Sequence, residues 1–329
     1  MRRFVVPFLI SLAAAFALHG VAASAAAAQT KPLPPSKVRF GIGDQHTAMF
    51  TDVRWTSMDL RITRYFIPWD AADDRAQLDR AIGFVEAARA ANVEVLLHLT
   101  GRIYDGTRER TPTAAAYTRE ARKLIAIFRP MGVRTWGVWN EENHPTQPTF
   151  AQPTRAAQYF LAMRAACTGC TIVALDLLTQ GGARSTGVAS YRGYTQRFFK
   201  ALGRKASYVK IIGIHNYGDL TIDGGVKISR DLITYAKRFN RKARFWITES
   251  GGIASNRGRT CSETRQANST QRMFTHAASL AKNGVDRLYM YNWTADDCIA
   301  LHDSGLIRKD GSARPALGVI EQNVGSFAR

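Results

Sequence analysis

The chain has 329 residues, 46% of them hydrophobic, and sets 45 lysines and arginines against 26 acids for a formal net charge of +19. That length suits one large α/β domain with a substantial core, and that charge would concentrate polyanions such as nucleic acid, anionic cell-wall polymers or acidic polysaccharides. Nucleic acid is excluded as the expected partner, because the basic residues are scattered along the whole chain and no RRM, zinc-finger or helix-turn-helix signature occurs.

Residues 1–28 read as a signal peptide: Arg2 and Arg3 precede the apolar run Phe4 to Leu18, and Ala26 and Ala28 stand before Gln29 in a small-residue cleavage pattern. An uncleaved anchor helix is the alternative. No second apolar span follows, so no integral membrane segment is expected after cleavage, and the mature protein is expected outside the cell or at its surface. Residues 29–36, QTKPLPPS, form a short Pro-rich lead-in.

From residue 37 to 329 eight apolar runs follow one another: Val38–Gly43, Ile62–Trp69, Val93–Leu99, Val133–Trp139, Thr171–Leu178, Val209–Ile214, Arg244–Thr248 and Val285–Tyr291. Each is nearly continuously apolar, as strands of a parallel sheet covered on both faces are. The intervals leave room for one helix each. Leu78, Ile82, Val85 and Arg89 make a helical stripe that Asn92 is placed to end, and Ala121, Leu124, Ile125 and Phe128 make another before Pro130 and Gly132. Eight strand–helix units predict an α/β fold, a single (β/α)8 TIM barrel, with its site where the strands end. A doubly wound open sheet shares the alternation, but GIGDQH after the first run lacks the third glycine of a dinucleotide turn.

Four cysteines in an exported chain predict two disulfides. The preferred pairing is Cys167 with Cys170, closing a CTGC turn, and Cys261 with Cys298, tying the loop after the seventh run to the loop after the eighth. A redox or half-zinc reading of CTGC finds no second CxxC and no nearby histidine.

Polar residues gather where the runs stop: Asp44 and His46, Arg64 and Asp70, His98, Asn140 and Glu141, Asp176, His215 and Tyr217, Glu249, Trp293. Two carboxylates at strand ends, Glu141 in TWGVWNEEN and Glu249 in RFWITESGG, suit acetal cleavage. That reaction needs a proton for the departing oxygen and a negative group facing the charge that develops at the anomeric carbon. Arg64 lies inside an apolar strand and needs an anionic partner, for which Glu249 is the candidate. His46 and His144 are too isolated for metal ligation, and no HExxH or calcium loop occurs, so no cofactor and no metal is expected.

The set Arg64, His98, Asn140, Glu141, His215, Tyr217, Glu249 and Trp293 resembles the retaining glycoside hydrolases of clan A, including families 5 and 39, across the whole mature chain in order. The resemblance implies that Glu141 is the acid/base and Glu249 the nucleophile. It implies that Asn140 binds the hydroxyl beside the anomeric carbon, Arg64 and Tyr217 hold Glu249, His98 and His215 line the site, and Trp293 floors the sugar ring. Where many members have proline after the acid/base, this chain has Glu142, then Asn143 and His144.

The expected activity is hydrolysis of a β-linked oligo- or polysaccharide by double displacement. The carboxyl groups should then stand roughly 5 to 5.5 Å apart, with Glu141 kept protonated near neutral pH by the charge on Glu249. Arg102, Arg108 and Arg110 in one loop hint at an acidic glycan. Transglycosylation with the same pair, or a carbohydrate-binding barrel without hydrolysis, are the alternatives. On the residues alone His98 is open to two readings, a sugar contact or a core histidine.

Overall fold

The structure is a computed structural model that describes residues 33–101, 109–179, 185–221, 225–256, 260–298 and 302–328. The expected signal peptide, with Arg102 and Arg108, lies outside the described residues.

Eight parallel strands form the sheet: β1 (Ser36–Gly43), β2 (Ile62–Pro68), β3 (Glu94–Thr100), β4 (Thr135–Gly137), β5 (Thr171–Leu178), β6 (Ile211–His215), β7 (Arg244–Ser250) and β8 (Val285–Tyr291). Strands β2 to β8 pair in chain order and β8 then pairs with β1. β1 and β2 lie side by side, with Thr63 Oγ1 donating to the Ile42 carbonyl at 2.7 Å, and this brings the two ends of the sheet together as a (β/α)8 barrel. A short ninth strand, β9 (Phe327–Ala328), adds to the start of β1.

Helices cover the outside: α1 (Arg75–Ala90), α2 (Ala114–Phe128), α3 (Pro153–Ala166), α4 (Tyr191–Leu202), α5 (Lys227–Ala236), α6 (Glu263–Leu280) and α7 (Pro315–Val324). The Asp74 carboxylate caps α1 by accepting from Gln77 N, and Asn92 ends it in the left-handed region at φ 56°. Its buried face runs through Ala81, Phe84, Val85 and Ala88, with the expected Leu78 and Ile82 only partly covered. In α2 the stripe is as read, with Ala121, Leu124, Ile125 and Phe128 all buried.

The core has two parts. The larger fills the space between sheet and helices. The smaller lies in the barrel lumen, where Ile62, Leu96, Val173, Ile211, Trp246 and Tyr289 meet from six strands. Toward the N-terminal rim the lumen is plugged by charge: Arg287 donates to Glu94 at 2.6 Å and stacks 4.1 Å over the Trp246 ring. With one end filled in this way, the opposite rim is where a ligand can enter.

Both disulfides form in the expected pairing. Around Cys261–Cys298 the loops after β7 and β8 also join as an antiparallel ribbon, Ser255–Asn256 with His302–Asp303. Asp303 is held from beneath by a two-pronged ion pair with buried Arg314, at 2.9 and 2.6 Å. Among the described residues no helix is long and apolar enough to cross a membrane.

Candidate active site

At the C-terminal rim the two glutamates converge. Glu141 follows β4, Glu249 ends β7, and a donor atom of each, with one of His215, lies within 4.8 Å of the other two. Both carboxylates keep some exposure, with side chains 16% and 11% accessible, while Arg64 and His215 beside them are sealed. Glu141 has a left-handed backbone, φ 48°, unusual for a residue with a Cβ. The next two residues pin that turn. Glu142 N donates to Asp176 O, its Oε2 accepts from Asp176 N at 2.6 Å, and the Asn143 amide bonds both Leu178 N and Leu178 O.

Arg64 is the hub on the other side. From β2 its guanidinium donates to Glu249 Oε2 at 2.7 Å, Asn140 Oδ1 at 2.7 Å, Asp176 Oδ2 at 3.2 Å and His98 Nδ1 at 3.1 Å. Tyr217 OH donates to the second oxygen of Glu249 at 3.0 Å. The cation and the phenol therefore hold the carboxylate by both oxygens, which fixes its plane. Asn140 spends its oxygen on Arg64, and its amide nitrogen takes no partner among the described residues.

His215 bridges two acids: Nε2 faces Asp176 Oδ2 at 2.8 Å and Nδ1 faces Glu141 Oε1 at 2.9 Å. Burial opposes charge on this ring, yet Asp176, Glu249 and the two hydrogen bonds outweigh it and push its pKa up to about 10. Asp176 is likewise pressed upward by burial and pulled down further by the charge and hydrogen bond of His215 and by Arg64, ending far below the usual carboxylate range. His98 goes the other way, because burial and the positive charges of Arg64 and His215 outweigh the Asp176 charge. Burial holds it down to about 3, so it is neutral and accepts from Arg64.

The same balance corrects one expectation. Burial raises the Glu141 carboxyl, but the His215 hydrogen bond and charge more than offset it and hold the group below its ordinary value. The carboxyl kept high is the neighbouring Glu142, by burial and the Asp176 charge.

Three of the expected sugar contacts also need correction. His98 and His215 are fully buried, so neither lines an open subsite: His98 props Arg64, and His215 reaches the rim only through Glu141. Trp293 is 3% exposed and does not floor a ring. Its carbonyl accepts from Leu306 N and Ile307 N, which turns the chain under the rim. Partly exposed aromatics here are Phe66, Tyr217 and Tyr291, the last residue of β8; Tyr291 lies 5.5 Å from Phe66 and 6.3 Å from His302, while Tyr217 lies 5.7 Å from His302. The signal for Tyr291 was its place at the end of the eighth run.

Two glycines make the buried network possible. A Cβ on Gly137 would meet the His98 ring at 2.0 Å, and one on Gly213 would meet Asp176 Oδ1 at 1.9 Å. Asp176 is the residue whose role sequence reasoning passed over. Its signal was an acid in an otherwise apolar strand beside a glycine in the next.

Glu141, His215 and Glu249 also have the donor set of a metal site. A doubly protonated imidazole has no lone pair to offer, and the acids on either side of His215 push its pKa up to about 10, so at neutral pH the residues do not fit a metal. A cleft of about 570 Å³ at the N-terminal rim, lined by Arg39, Arg61, Arg89 and Glu94, lies at the barrel end where residues stabilise the fold.

No protein-family model and no curated protein matches the chain. Solved structures do. A xylanase from Thermoanaerobacterium saccharolyticum, in complex with xylotriose, is 11% identical with a TM-score of 0.60 over 88% of this chain and 99% of its own. A glucosidase from Croceicoccus marinus is 13% identical with a TM-score of 0.63 over 90% and 67%. An endo-β-1,4-glucanase from Xanthomonas axonopodis pv. citri is 16% identical with a TM-score of 0.55 over 89% and 98%. At these identities the likeness is one of fold.

Proposed function

We propose that this protein is an exported retaining glycoside hydrolase that cleaves a β-linked oligo- or polysaccharide by double displacement. The observation that carries the reading is the close approach of Glu141 and Glu249, with donor atoms within 4.8 Å at the open rim. That suits roughly 5 to 5.5 Å between carboxyl groups, and is too close to admit the water of an inverting enzyme. The names of the β-1,4-glycanases sharing the fold support a β-linked substrate.

In the first step Glu249 attacks the anomeric carbon while Glu141 gives its proton to the leaving oxygen, leaving a glycosyl ester and a carboxylate on Glu141. In the second, Glu141 takes a proton from water, the hydroxide carbon–oxygen bond forms, and Glu249 leaves as a carboxylate. Arg64 and Tyr217 hold the attacking group in plane. The Asn140 amide is placed for the hydroxyl beside the anomeric carbon, and Tyr291 offers a ring face. Because His215 lowers Glu141, the acid form needed for the first step is favoured at acid pH. Export rests on the 1–28 segment and accords with two disulfides. The net charge, +17 once residues 1–28 with Arg2 and Arg3 are removed, favours an acidic glycan.

Glu249→Ala should lower turnover of an aryl β-glycoside by several orders of magnitude while the protein still folds. Azide should then restore cleavage and give the α-glycosyl azide, read by NMR. Near-normal turnover in this variant would end the assignment.

A further inference from the structure

Asp176 belongs to none of the groups that touch a substrate in the reading above, yet it contacts most of the groups that hold those residues in place. It is fully buried at the end half of β5, in the one spot that Gly213 leaves clear. Its Oδ2 faces His215 Nε2 at 2.8 Å, Arg64 at 3.2 Å and His98 Nε2 at 3.6 Å, and its Oδ1 accepts from Thr248 Oγ1. Its backbone N–H closes on Glu142, the residue after the proposed acid. One carboxylate thus joins polar side chains from four other strands and touches neither proposed catalytic carboxyl directly.

We propose that Asp176 is a positioning residue that keeps His215 a doubly protonated cation clamped between Asp176 and Glu141, and so decides the pH at which Glu141 carries the proton for the leaving group. The proposal rests on the glycosidase reading and deepens it. The clamp works through geometry: with an acid 2.8 Å from one ring nitrogen and another 2.9 Å from its other, His215 has acceptors on both sides and needs both protons to satisfy them.

The other charged groups facing the ring divide evenly in sign. From β7 Glu249 lies 3.7 Å from Nδ1 and favours the cation, while Arg64 from β2 lies 3.3 Å from Nε2 and opposes it. His98 from β3 is neutral, and the raised carboxyl of Glu142 adds no charge. His144 also faces Glu141, from the same loop. Asp176 therefore tips the balance, and removing its charge returns the proton of the His215–Glu141 pair to Glu141.

Two measurements test this, one of which needs no activity. In the wild-type protein, 15N–1H spectra of the imidazoles should give His215 as an imidazolium at pH 8, where an ordinary histidine, with pKa about 6.5, is neutral. A neutral His215 at pH 8 would overturn the proposal whether or not any variant folds. In Asp176→Asn, which keeps an oxygen for the same donors, His215 should be neutral at pH 8. The falling basic limb of its kcat/KM profile should move up by about 1 to 3 pH units, the range for an opposite charge withdrawn at this distance.

A purely structural role would lower the maximum and leave that limb in place, and such a result would also overturn the idea. The two readings fail separately. Full turnover in Glu249→Ala with His215 still charged would remove the glycosidase and leave the clamp.

Discussion

Tyr291 and Trp293 stand two residues apart and have opposite fates. The first ends a strand and keeps a face toward the rim, while the second turns beneath it and is sealed. Tyr291→Ala should therefore raise KM about ten-fold with a smaller change in kcat, as loss of one ring contact does. Trp293→Ala should cost about 3 to 5 kcal/mol of stability, as large core truncations do, with KM little changed in the folded fraction. Steady-state kinetics beside thermal melts of the two variants check this pair. The reverse pattern would return the ring floor to Trp293.

At the scale of elements, β4 is the informative strand, because its regular ladder ends at Gly137 and the chain beyond is held by single backbone bonds, Val138 N to Val173 O, Asn140 N to Leu99 O and Glu142 N to Asp176 O, together with side chains. Asn143 copies a strand's pairing by accepting from Leu178 N at 2.9 Å and donating to Leu178 O at 3.0 Å. Asn143→Ala leaves those buried groups unpaired, at about 1 to 3 kcal/mol each. The melting temperature should fall. Because the turn that Asn143 pins also aims Glu141, kcat should fall with it even below the melting range. Unchanged kcat in the folded variant would detach the turn from the chemistry. The ribbon behind the site is tied more firmly, by the Cys261–Cys298 bond and the buried Asp303–Arg314 pair.

For the whole molecule, the polar lumen makes stability depend on pH in both directions. His98 is held at about 3 against 6.5 when unfolded, so its contribution is complete above 6.5 and is lost as pH falls toward 3. His215 is held at about 10, so its contribution is complete below 6.5 and is lost as pH rises toward 10. Asp176, held low, adds to the acid loss, and Glu142, held high, loses its contribution as pH rises above 4.5. Between pH 4.5 and 6.5 the Glu142 loss offsets the His98 gain, so melting temperature should be highest across that range and decline both ways. A steady rise from pH 4 to pH 10 would contradict these assignments.

The pattern along the chain was enough to predict eight strands, their parallel order and the two glutamates at their ends, because a strand covered on both faces leaves an uninterrupted apolar run and an acid interrupts it at one end. It also carried the cysteine pairing. Depth was not legible. A polar residue at the end of a run reads the same whether it meets solvent or lies inside the lumen, and only the closed barrel, with Gly137 and Gly213 making room, decided that His98 and Asp176 are sealed. Protonation follows depth: the acids that face His215 and push its pKa up come from β5 and the turn after β4, remote in sequence and within 3 Å in space. Chain order determines what the strands present, and the packing of those strands determines which groups water can reach.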